Sequence, residues 1–297
     1  PKDVLSFPFP KAPEKASKYK RGRVHLIAGS EQYPGAALLA LKGALASGVG
    51  SIKATLPCKV SKDLWKILPE VVISNVLDNS PNGLSKLKTF LSQETLNRVD
   101  SILIGPGLGN LNENWKCISN PLSTFTGLLV IDADAINRIA DSDEGWKWLK
   151  KRIGPTWITP HAQEFKKLFP RLKSLAPIEA AKKAAKLSGV SVLLKGAHSV
   201  IADPSGKVWQ TTKTSPYCAR AGLGDLLAGY AAGLGALGIA SNKQITGELL
   251  AGAGLIHSLA AISCKKGSHS SAIFETLSEI TRSIQNHECL DKHIKMS

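Results

Sequence analysis

A chain of 297 residues is long enough to bury the core of one large α/β domain, and 43% hydrophobic with 21% charged residues excludes wholesale disorder. Thirty-eight Lys and Arg against 23 Asp and Glu give a formal net charge of +15, a field that attracts anions, nucleotides and nucleic acids among them. Five widely spaced cysteines (Cys58, Cys117, Cys218, Cys264, Cys289) with no C-x-x-C pair argue against a disulfide scaffold or zinc ribbon and for a reducing, cytoplasmic setting.

Residues 1–20 hold four prolines and five lysines with little apolar periodicity, and read as a linker-like lead-in to a single domain over 21–297. The chain starts at Pro1 rather than Met and shows no signal-peptide pattern, which leaves room for a removed upstream segment. Strands are expected at Val24–Ala28, Ile52–Leu56, Val71–Leu77, Ser101–Ile104, Leu128–Ile131, Thr156–Ile158 and Val190–Leu194. Helical patterns lie between them at about 35–47, 84–97, 133–140, 145–151, 161–169 and 178–187. That alternation predicts an α/β protein of three layers (αβα) with a central, mainly parallel sheet. Ser199–Ala202 and Val208–Thr211, joined by Asp203-Pro204-Ser205-Gly206, read as a hairpin. Small-residue helices follow over about 223–264 and near 270–286. The apolar run Leu226–Ala240 is too short to span a membrane and reads as a buried helix, its Gly229 and Gly233 allowing close packing. The basic excess is mostly scattered lysine, densest before Arg23 and at Lys182, Lys183 and Lys186, and reads as a solvated surface. No zinc-finger spacing, basic heptad helix or aromatic platform accompanies it, so nucleic acid is not an expected partner.

Glycine-rich and polar segments punctuate the carboxyl ends of the strands, where sheets of this kind bind ligands. After the first strand, Gly29 to Ala37 opens a helix at Pro34-Gly35, where free amides suit an anion and Ala36 lets a ligand approach; a plain strand–helix connection explains it as well. Gly105-Pro106-Gly107-Leu108-Gly109 either lays backbone against a ligand or is a tight turn. Asp132 and Asp134 either hold Mg²⁺ through water or cap the following helix. His161 and Glu164 share one face of a first helical turn; Glu164 is either a metal ligand, through water, or a capping-box acid. Lys195, Gly196, Ala197, His198 and Ser199 supply a cation, a glycine and a hydroxyl suited to a nucleotide, or a simple turn into the hairpin. In Gly222-Leu223-Gly224-Asp225 the amides form a positive concavity for a phosphoryl group, and Asp225 can accept a proton from an attacking hydroxyl. The bland alternative is an aspartate complementing a helix dipole.

In order, these six segments resemble the ribokinase-like superfamily and, within it, the ADP/ATP-dependent NAD(P)H-hydrate dehydratases, over about residues 21–284. The resemblance implies a lyase of metabolite repair: ADP or ATP, with Mg²⁺, phosphorylates the ring hydroxyl of S-hydrated NADH or NADPH, and loss of phosphate restores the cofactor. It implies that Ala36, Gly107, His161 and Asp225 contact the substrate. Lys195, Gly196, Ala197, His198, Ser199, Gly222 and Gly224 would hold the nucleotide, with Asp225 the base. A homo-oligomer, no membrane association, and an epimerase domain or partner acting on the R-hydrate are implied as well. Departures from the family pattern are Ala162-Gln163 for Pro-Gly, Ser199 for Thr, Leu223 for Ser or Thr and Cys218 for Met or Leu. A ribokinase-like small-molecule kinase that leaves its phosphate on the product, and a homologue with impaired catalysis, are the alternatives.

Overall fold

The computed structural model describes residues 9–11, 15, 17–77, 90–109, 115–212, 215, 219–264 and 268–286. Its logic is visible in one strand. In β5 (Leu128–Ile131), Leu128 and Val130 join one apolar cluster while Leu129 and Ile131 join another. Successive side chains alternate between faces, so a strand with no polar residue demands cover on both.

Among the described residues nine strands form one sheet in the order β3-β2-β1-β4-β5-β6-β7-β8-β9. The first seven in sequence are β1 (Arg23–Ile27), β2 (Ser51–Pro57), β3 (Val71–Leu77), β4 (Ser101–Ile104), β5, β6 (Thr156–Ile158) and β7 (Ser191–Leu194), and all pair in parallel. β8 (Val200–Ala202) and β9 (Val208–Gln210) add antiparallel, as the hairpin signal predicts. Helices α1 (Pro34–Ala46), α2 (Cys58–Asp63), α3 (Gln93–Leu96), α4 (Lys116–Thr124), α5 (Ala133–Asp141), α6 (Ala162–Leu168), α7 (Pro177–Ser188), α8 (Leu223–Ala240), α9 (Gly247–Ser263) and α10 (Ile273–Gln285) cover it. The cluster on one face joins the sheet to α1, α8, α9 and α10; that on the other joins it to α4, α5, α6 and α7. The expected three-layer αβα architecture stands.

Differences are local. Residues 145–151 form a 3-10 helix, not an α-helix. Helices α2 and α4 are not among the expected elements; α2 has only six residues, and α4 contains Pro121, a residue that ordinarily ends a helical pattern. Of the helix expected at 84–97, residues 84–89 lie outside the described residues, as do Cys218 and Cys289. Cys58, Cys117 and Cys264 are free thiols. Within the expected lead-in, Phe9 is buried in the core at 7% exposure and Lys18–Arg21 forms a 3-10 turn.

The helix α8 is long and apolar enough to cross a membrane by length and composition, but 78% of it is buried inside the protein. It crosses α1 with backbone against backbone. A Cβ on Gly229 would collide with the Ala40 carbonyl, one on Gly43 with the Leu226 carbonyl, and one on Gly233 with the Ser47 hydroxyl. The small-residue spacing is therefore a packing seam.

Candidate active site

The strand order brings the carboxyl ends of β1, β4, β5, β6 and β7 side by side, and the six segments meet along that edge. The Gly105–Gly109 loop packs on the start of α1. Gly107 takes φ +64°, and a Cβ there would approach the Ala36 Cβ to 2.6 Å, so the two residues expected to touch one substrate already touch each other. Pro106 receives a hydrogen bond from the Gly29 amide at 2.7 Å. Asp134 accepts from the Gly109 amide at 2.7 Å and so holds this loop.

Asp132, 1% exposed, sits where β5 ends. Its Oδ1 accepts from Lys195 Nζ at 2.7 Å and Thr159 Oγ1 at 2.8 Å, while Oδ2 is buried with no partner among the described residues. The Lys195 side chain is 20% exposed. Burial would lower the pKa of its ammonium, but the Asp132 carboxylate, then Glu164 and Asp225, outweigh burial and raise it.

His161 caps α6. Its Nδ1 accepts from the amides of Gln163 and Glu164 at 3.0 and 3.3 Å, which puts the ring proton on Nε2, 3.2 Å from Glu164 Oε1. Glu164 Oε2 accepts from the His161 amide at 2.7 Å and closes a capping box. Burial, and then the Lys195 charge, lower the His161 pKa. Burial also pushes Glu164 up to about 7, helped by the Asp132 charge and opposed by Lys195. Both Glu164 oxygens are engaged, and no group of three His, Cys, Asp or Glu able to hold a metal occurs among the described residues. Such a donor set fits Mg²⁺ only through the ion's waters and a ligand's phosphate oxygens, which is how this ion usually sits beside nucleotides.

Gly222 caps α8 in the left-handed conformation (φ +85°) with no room for a side chain against Leu39. The amides of Leu223, Gly224 and Asp225 are left without helical carbonyls and point outward, as at any helix start. Lys195 Nζ lies over Gly224, 3.1 Å from where a Cβ would stand. Asp225 shares the first turn, its carboxyl pushed up to about 7 by burial and by Asp132, with Lys195 opposing. A carboxylate near neutrality is matched to taking and returning a proton.

Beside these groups opens a cavity of about 220 Å³, reached by Lys195, Gly196, Ala197, Ser199 and Gly224. Two of the expected nucleotide residues stand apart from its lining: Gly222 packs on Leu39, and His198 Nδ1 lies 3.2 Å from the Thr211 carbonyl oxygen. The far wall belongs to α9, through Gly254, His257, Ser258, Ala261 and Ile262, a helix in which the sequence suggested only packing. A histidine inside an apolar helix was the one available signal.

A sequence profile of NAD(P)H-hydrate dehydratases matches residues 24–283. A bifunctional NAD(P)H-hydrate repair enzyme from Synechocystis is 36% identical over 221 residues, covering 73% of this chain and 40% of that enzyme. The chain thus spans about two-fifths of the length of the bifunctional relatives it matches. An ADP/ATP-dependent NAD(P)H-hydrate dehydratase from Bacillus subtilis, co-crystallised with ATP/Mg²⁺, superposes with a TM-score of 0.74 at 25% identity over 96% of each chain. A ribokinase-like superfamily protein from Enterococcus faecalis does so with a TM-score of 0.76 at 24% identity, over 96% of this chain and 95% of that one.

Proposed function

This chain belongs to the NAD(P)H-hydrate dehydratase family, with the ribokinase-like fold, and on that premise we propose that it restores NADH and NADPH from their S-hydrates at the expense of ADP or ATP. The observation that carries this reading is the convergence of the Lys195 ammonium, the free amides at the start of α8 and the Asp225 carboxyl. The nucleotide's terminal phosphoryl group lies against Lys195 and the α8 amides, which neutralise the charge it gains in transfer. The ring hydroxyl of the hydrate attacks that phosphorus and gives its proton to Asp225 as the bond to the leaving nucleotide breaks. Phosphate then departs with the carbon–oxygen bond pair, the adjacent ring carbon loses a proton, and the double bond returns. Ala36, Gly107 and His161 form the substrate side, where the Gly107 backbone packs directly on the Ala36 Cβ.

Mg²⁺, when bound, screens the phosphate oxygens. Glu164 is the residue we assign to its water shell. Residues 21–297 act as one domain, in the cytoplasm, as a homo-oligomer, beside an epimerase domain or partner that converts the R-hydrate. The test is to incubate hydrated NADH with Mg²⁺ and ADP or ATP and to follow the absorbance of regenerated NADH. Regeneration only with nucleotide is expected. A phosphorylated ring product that accumulates would favour a kinase, and binding of both ligands without product would leave a catalytically impaired binder.

A further inference from the structure

The loop on the substrate side offers only main chain at Gly105, Gly107 and Gly109, so its position decides what it can touch. Two side chains of α5 grip its far end. Asp134 Oδ2 accepts from the Gly109 amide at 2.7 Å, and Arg138 Nη2 donates to the Gly109 carbonyl at 2.6 Å. Residues four apart share a helix face, so an acid and a guanidinium one turn apart close on the two backbone groups of one glycine. Both bonds are charge-assisted, the stronger kind. Gly107 and Gly109 are partly exposed, and water could have satisfied Gly109 instead. Side chains in place of water fix where the loop stands.

The opposite side of the loop is fixed as well. A Cβ on Gly109, at φ +65°, would stand 3.2 Å from Ser30 Oγ and 3.7 Å from the Tyr33 ring, in the turn that leads into α1 and Ala36. The near end rests on α5 again, where the Gly105 backbone packs on the Asp132 carbonyl with no space for a Cβ. Between Asp132 and Asp134 stands Ala133 at φ +48°, a conformation costly for any residue with a Cβ. The two acids on either side of it go separate ways: Asp132 to Lys195 and Thr159, Asp134 to Gly109. Strain of this kind persists where the surroundings over-determine it, commonly at functional sites.

Resting on the dehydratase reading above, we infer that Asp134 and Arg138 are a positioning pair for the substrate. Together they set the height of the glycine loop over Ala36, and with it the fit of the hydrated dinucleotide. Neither touches the reacting atoms or the nucleotide that delivers the phosphoryl group. Loss of the grip therefore appears in KM for the hydrate and leaves kcat and ADP affinity in place. Arg138 is the cleaner probe, because Asp134 also adds, behind burial and Asp132, to the raising of Asp225.

The test reads binding and turnover separately. NADH, the product, is titrated calorimetrically into the full chain at saturating ADP, and ADP is titrated alone. Arg138→Met should weaken NADH binding by about tenfold and raise KM for the hydrate by a similar factor, with kcat and ADP affinity within about twofold of wild type. Arg138→Lys, which can still donate to the Gly109 carbonyl, should recover most of the loss. Asp134→Leu should weaken NADH as much, and because both side chains hold one residue, the double variant should lose less than the product of the single losses. Wild-type NADH affinity in Arg138→Met would overturn the inference. So would parallel losses for NADH and ADP, or single losses that simply multiply. If Arg138→Met fails to fold, Arg138→Gln, too short to reach the carbonyl, carries the same test: NADH weakened with ADP unmoved supports the pair, and any other result sinks it. No NADH binding by the unmodified protein would remove the substrate side and the inference with it. Selective weakening of NADH in an enzyme that never restores the hydrate would leave the pair standing and the proposed reaction fallen.

Discussion

The two ends of the central sheet treat charge in opposite ways. At the amino-terminal ends of the strands, Arg23 and Asp100 form a fork of hydrogen bonds at 2.7 and 3.1 Å, and the Arg23 amide adds a third at 2.8 Å. Nearby, Arg152 donates to the carbonyls of Leu122, Phe125 and Gly127. Each of these cations has its partners, and they tie strand starts and loops together. At the carboxyl-terminal ends Lys195 faces three acids, one Asp132 oxygen has no partner among the described residues, and two carboxyls are pushed to about 7. A satisfied network stabilises; an unbalanced one stores charge that a ligand can rearrange, and such perturbed groups concentrate where chemistry occurs.

Breaking the unbalanced end should cost most in rate. Asp225→Asn keeps the side-chain shape but cannot take a proton, so turnover of the hydrate should fall by about 10²–10⁴ while calorimetric nucleotide affinity stays nearly constant. A variant that keeps more than half of the wild-type rate would remove Asp225 as the base.

Next in size is the paired test of the two ends by denaturant unfolding. Lys195→Met strands the buried Asp132 carboxylate and should destabilise the protein by about 3–5 kcal/mol, a loss that adding Asp132→Asn largely reverses. Arg23→Met, at a partly exposed ion pair whose remaining Asp100 carboxylate can still reach water, should cost about 1 kcal/mol. Equal losses at the two ends would dissolve the contrast.

The pH dependence sharpens it. Glu164 and Asp225 have ordinary values of 4.5 and 3.8 and stand at about 7 in the folded protein. Across that window the folded state binds more protons than the unfolded chain, so their contribution makes stability fall as pH rises. In Glu164→Gln the melting temperature should decline less steeply between about pH 5 and 7 than in the wild type. An identical slope would mean that Glu164 is ionised throughout.

The smallest effect is expected at the loop before the hairpin. Ser199 Oγ accepts from the Gly196 amide at 3.3 Å and donates to the Gly196 carbonyl at 3.2 Å. Ser199→Ala should loosen that turn and weaken nucleotide binding by only about three- to tenfold.

Much of this was legible in the sequence, for physical reasons that differ from residue to residue. Strand and helix alternation set the layers, and polar punctuation marked Asp132, His161 and Lys195 at strand ends that share one edge of the sheet, and Asp225 at the start of α8. What the sequence could not display is pairing across it. Asp132 and Lys195 are 63 residues apart, and only the adjacency of β5, β6 and β7 makes them an ion pair. His257 escaped notice because α9 is apolar nearly throughout, and helical periodicity there reports burial without distinguishing a core from a cavity wall. Conversely, Asp134 resembled a possible metal ligand, and its carboxylate holds the Gly109 amide.

The seam between α1 and α8 has a bearing on how much the site can drift. One helix begins two residues before Ala36, the other two residues before Asp225, and main chain meets main chain at two points where they cross: Gly43 on the Leu226 carbonyl and Gly229 on the Ala40 carbonyl. Side chains at an interface can be exchanged, trimmed or repacked over generations, each change absorbed by its neighbours. Backbone atoms in contact have no substitute parts. The distance between the substrate side and the reacting side is thus a fixed gauge, and sequence change in this protein must go around it.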